Sequence, residues 1–199
     1  MESIRKYIGY AAFCAAALAA AVGVIILFTD IAAAFKMINS FGGFIRFGGY
    51  WLAKVVCWAG IAVIAVLTVL KMGQLDANKR NDRISLMAGI GALAEFASCL
   101  VTLVFAIKNN VAGYLGGKFW VLFIFTILVI AAFFVRRFVF GKNLFVGKIM
   151  AAAAAFVMFI VFCLYFDGAS TRGIIYGIFW VLAYAVMTAH PLLASPIKE

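Results

Sequence analysis

Charge is scarce in this chain. Asp, Glu, Lys and Arg make up 12% of its 199 residues, where a soluble domain carries about 25%. Acids are the rarest, with seven Asp and Glu in all, and there is one histidine, His190. That shortage removes most catalytic chemistry. No Ser/His/Asp set, HExxH motif, pair of neighbouring carboxylates or phosphate-cradling glycine motif is present. With one histidine and one acid inside an apolar run, hydrolysis would lack a base or a second acid. The chain is read as a non-enzyme. Four cysteines, Cys14, Cys57, Cys99 and Cys163, lie in separate apolar runs, form no CxxC pair and are remote from His190. A disulfide framework or a zinc site is therefore not expected, nor any metal or cofactor. There is no Asn-x-Ser/Thr sequon.

What fills the chain instead is hydrocarbon. Hydrophobic residues reach 68%, with a mean hydropathy of +1.16, too much for a fold of this size to hide from water. Six runs approach the roughly 20 residues that a bilayer core about 30 Å thick requires. They lie near 7–28, 50–70, 84–107, 119–135, 145–166 and 173–193. The expectation is an all-α, six-span membrane bundle forming one transmembrane domain over residues 1–199. The connections leave no room for a soluble domain, and no internal repeat is evident between the two halves.

The first run follows Arg5 and Lys6 and imitates a signal peptide, but at about 21 residues it outlasts the usual apolar core of one. An uncleaved first span is expected. The net charge of +10 comes from short clusters between apolar runs, the arrangement that anchors helices on anionic lipid headgroups. Nucleic acid is not an expected partner. Eleven Lys and Arg fall on the side of the chain ends and six on the other, which places both termini in the cytoplasm and suggests a plasma (inner) membrane. The segment 30–49, IAAAFKMINSFGGFIRFGGY, is too apolar for a solvated loop and too rich in glycine for a long helix. It is expected in the headgroup layer or folded over the bundle, as a seal or a lid. KNNVAGYLGGK is read as a mobile connection and DGASTR as a tight turn.

Small residues recur every fourth position on two spans: Ala11, Ala15, Ala19 and Gly23 on the first, Gly147, Ala151 and Ala155 on the fifth. Such lines let helix backbones approach closely in lipid, inside one bundle or against another membrane subunit. Six spans in about 200 residues, with Ala11, Ala15 and Ala19 on the first helix, resemble in outline the substrate-binding components of energy-coupling-factor vitamin transporters. The resemblance covers topology and those three positions. It implies that this face contacts a transmembrane coupling subunit.

One polar residue stands out. Glu95, in GALAEFASCL, has no charge nearer than Arg83 or Lys108. At helical spacing Ser98, Cys99 and Thr102 share its face on one side, and Ala88, Gly91 and Ala92 on the other. The carboxyl is therefore expected to point inward. Lys54, placed about one turn into the second span, is expected to snorkel outward. That leaves a neutral glutamic acid donating a hydrogen bond across the bundle. Two readings follow: a proton-exchanging or solute-coordinating site of Glu95, Ser98, Cys99 and Thr102, or interhelical glue. His190 is read as an interfacial hydrogen-bonder, and Tyr176, Trp180 and Tyr184 as packing or the wall of a pocket. Arg136 and Arg137 are read as lipid anchors. The functional expectation is small-solute or proton-linked transport, alone or as a membrane-embedded substrate-binding subunit. The alternative is a non-catalytic assembly or scaffold subunit.

Overall fold

The computed structural model describes residues 2–29, 31–36, 38, 40–140, 143–164 and 171–194. In chain order, α1 covers Glu2–Thr29, α2 Ile31–Lys36, α3 Phe41–Arg46, α4 Ala53–Leu70, α5 Ala77–Lys108, α6 Gly117–Phe138, α7 Leu144–Cys163 and α8 Thr171–Ala194. Short 3-10 turns occupy Met72–Gln74 and Ala112–Leu115. Regular structure among the described residues is helical throughout, and six segments are long and apolar enough to span a bilayer. The fold is an all-α six-span bundle.

Local chemistry sets the helix ends. Asp76 caps α5 by accepting from the Lys79 amide at 2.7 Å, and Asn143 caps α7 by accepting from the Val146 amide at 3.0 Å. Asn110 closes α5 at φ 53°, a left-handed position that asparagine tolerates. α5 is the longest span, 32 residues rising about 48 Å, so its first turns stand clear of the hydrocarbon. The DGASTR turn lies mostly outside the described residues.

Residues 41–49 of the segment 30–49 depart from the expectation. Ser40 caps α3, its hydroxyl accepting from the Gly43 amide at 3.1 Å. The chain then passes through a π-helical stretch, Phe47–Leu52, straight into α4, the Ala53 amide bonding to the Gly48 carbonyl. The second span is thus Phe41–Leu70, 30 residues, where the sequence suggested a start at residue 50. One of its glycines serves contact between helices: a Cβ on Gly49 would collide with the Val101 side chain of α5.

α1, α4, α5, α7 and α8 form a closed ring, each packed on two neighbours, while α6 lies outside it in the groove of α5 and α7. Burial follows this plan. In the most apolar window of each span, 44% of α5 is buried but 11% of α6. The ring is filled by aromatics: Trp58 of α4, Phe162 of α7, and Trp180 and Tyr184 of α8, all at 0% exposure. Trp58 and Trp180 lie 4.3 Å apart, and Phe162 stacks on both Trp180 and Tyr184. Each such pair adds about 0.5–1.5 kcal/mol beyond its burial.

The small residues serve this core. Gly23 abuts Trp58, Tyr176 and Trp180, where a Cβ would come within 3.3–3.4 Å of each ring, and Gly91 of α5 leaves the space that the Tyr184 hydroxyl occupies. Ala19, Gly147, Ala151 and Ala155 are buried, Ala15 is half-buried and Ala11 is exposed. A line of every fourth residue drifts about 40° per step around a helix. Ala11 accordingly shares the outer stripe with Tyr7 and Leu18, while Gly23 faces the core.

Candidate functional site

Glu95 faces the ring interior at 1% exposure, and both its oxygens accept. The Lys54 ammonium lies 3.2 Å from Oε2, and the Tyr176 hydroxyl donates to Oε1 at 3.4 Å. The expected outward lysine and neutral acid are both corrected: the two residues form an ion pair. Helix length is the reason. Lys54 lies thirteen residues from the start of its span at Phe41, and Glu95 lies thirteen from the end of α5 at Lys108, on the same side of the bundle. The two charges are therefore level, about 20 Å along each helix. Had the span begun at residue 50, Lys54 would have been one turn deep and out of reach.

Above the pair, toward the face opposite the chain ends, opens a cleft of about 370 Å³. Tyr50 and Lys54 line it from the second span, and Ser98, Cys99 and Thr102 from α5. Gly113 and Gly116 of the connection and Lys118 of α6 border it. Three of the four expected site residues thus share one wall. Glu95 sits behind Lys54, outside the lining, so of the pair it is the lysine, 14% exposed, that faces a solute.

The hydroxyls are already oriented. Ser98 donates to the Ala94 carbonyl at 3.2 Å and Thr102 to the Ser98 carbonyl at 3.0 Å. With the Thr102 hydrogen committed, the Tyr50 hydroxyl is the donor in the bond that joins it to Thr102. Ser98 and Thr102 consequently offer lone pairs to the cleft, while the cations supply its donors. Tyr50 and Lys118 border the site without having been singled out from the sequence, Lys54 was expected to point outward, and Tyr176 was read as packing or a pocket wall. Only Lys54 carried a usable signal, being a charge inside an apolar segment.

Tyr176, Trp180 and Tyr184 resolve into roles: Tyr176 holds the carboxylate, and Trp180 and Tyr184 pack the core. His190 does not behave as an interfacial hydrogen-bonder. It is fully buried, with Phe13 edge-on at 5.9 Å and neither ring nitrogen bonded among the described residues. The Gly9 backbone packs directly against its ring.

No family model, curated protein or solved structure matches the chain in comparison.

Proposed function

We propose that this multi-pass membrane protein is a small-solute transport protein, or the membrane-embedded solute-binding subunit of one, whose solute reaches Lys54 through the cleft. The observation that carries this reading is the Lys54–Glu95 pair at the cleft floor. Burying two charges costs several kcal/mol per ion, and apolar residues of similar size would hold the helices as well or better. Charges kept inside a membrane bundle, beside a polar cavity, point to use rather than to stability.

Two lysines, a tyrosine hydroxyl and oriented hydroxyl oxygens suit a small anionic or zwitterionic solute, its acid on an ammonium and its donors on Ser98 and Thr102. Glu95 and Tyr176 then act as positioning residues that hold Lys54. With both chain ends in the cytoplasm, as the excess of Lys and Arg on that side favours, the cleft opens to the outside of a plasma (inner) membrane. The scaffold alternative has less to stand on, since most of the small-residue lines pack within the bundle.

The test is thermal unfolding of the purified protein against a panel of small carboxylates, amino acids and neutral sugars. At saturation an acidic solute should raise Tm by several degrees. The Lys54→Met/Glu95→Leu protein, folded but without the pair, should lose that response. If no acidic solute shifts Tm, or the double variant responds as the parent does, the reading fails.

A further inference from the structure

At the other end of α5, on the face of the chain ends, lies a second cavity of about 420 Å³. Lys79, Arg83, Arg136 and Arg137 line it against a single acid, Asp82. We propose that this cavity binds a phosphate group, carried by an anionic lipid or free in solution.

Three observations carry the assignment. The first is charge: four cations converge on one space with one carboxylate among them, and Lys79 meets a second, Asp76, at 3.7 Å. A set that repels itself this strongly is completed by an anion. The second is geometry. Arg136 is 7% exposed, and its guanidinium is held by the Asn81 carbonyl at 3.1 Å and by the Asp82 carboxylate. Those bonds use two of five N–H donors, leaving a planar, pre-oriented fork of the kind that grips phosphate through paired bonds. The third is depth. The cations stand in the first turns of α5 and the last turn of α6, where hydrocarbon gives way to headgroups. Leu75, Leu86 and Phe133 complete the wall, giving an acyl chain an apolar path beside a polar end.

The test measures Tm of the full chain in phosphatidylcholine vesicles with and without phosphatidylglycerol, and separately in detergent with inorganic phosphate. Arg136→Gln would disturb the bonds to Asn81 and Asp82, so the variant used is Arg83→Gln/Arg137→Gln, which leaves them intact. Lys71→Gln/Lys148→Gln removes the same charge outside the cavity. The parent should gain about 2–8 °C with at least one probe. The cavity variant should need about 10-fold more of that probe for the same shift, and the control variant should behave as the parent. A response to phosphatidylglycerol alone assigns a lipid, and a response to phosphate assigns the free anion. No shift with either probe, or equal losses in the two double variants, would overturn the site.

Discussion

Two ion pairs sit on α5, one near its middle and one near its first turns, and they are built inversely. In Lys54–Glu95 the acid is sealed, at 1% exposure, and the cation borders the cleft; in Arg136–Asp82 the cation is sealed, at 7%, and the acid is half open, at 47%. In the first cavity a solute would engage the open lysine, and in the second an anion would engage the cations around Asp82 rather than the acid itself. What remains if one partner is removed differs greatly. Without Lys54, Glu95 would lose that counter-charge inside the ring and keep neutral partners such as the Tyr176 hydroxyl, whereas Arg136 without Asp82 keeps the Asn81 carbonyl and its place at the headgroup level.

The largest expected effect tests that inversion directly. Lys54→Met should cost about 3–5 kcal/mol, measured by thermal unfolding in detergent, whereas Asp82→Asn should cost about 1 kcal/mol or less. Lys54→Met/Glu95→Leu should recover most of the first loss. Equal costs for the two single changes would mean that the two sites do not differ in burial as described.

The next effect sharpens the contrast between the packed interior of the bundle and the open faces of its helices. Gly91→Ala drives a methyl group onto the Tyr184 hydroxyl and should cost about 1–3 kcal/mol. Gly60→Ala, on α4 with no neighbour within 4 Å of the new Cβ, should instead stabilise by about 0.5–1 kcal/mol through helix propensity. The same unfolding assay reads both.

The smallest effect concerns the outer surface. Ala11→Leu, on the lipid stripe of α1, should change stability by no more than about 0.5 kcal/mol. Ala19→Leu, at 0% exposure, should cost about 1–3 kcal/mol. A large loss at Ala11 would show that a partner covers this face.

Much of this was legible in the residues, for reasons that can be named. Hydrocarbon length set the six spans, and helical spacing turned Glu95 inward with Ser98, Cys99 and Thr102 beside it. The glutamate's cation was not legible. Paired glycines in FGGFIRFGGYW argue against a long helix, and the packing of Gly49 on Val101 gives a reason for one of them to lie in a span instead. Once the second span is lengthened, Lys54 descends to the level of Glu95. The exclusion of α6 from the ring was also hidden, because apolar composition alone does not tell a lipid-facing helix from a central one. His190 was misread because a histidine beside a helix end ordinarily finds water or a carbonyl, and here Phe13 and the Gly9 backbone close around it.

The π-helical stretch Phe47–Leu52 has a mechanical meaning. A wide turn takes up more chain than an ordinary one, so the residues on either side are out of phase by up to about 100° relative to an unbroken helix. Relaxing it into regular α-helix would swing the ammonium away from its carboxylate without moving the helix axis. The wide turn thus sets the rotational phase of the second span, and with it the side of the helix on which Lys54 stands.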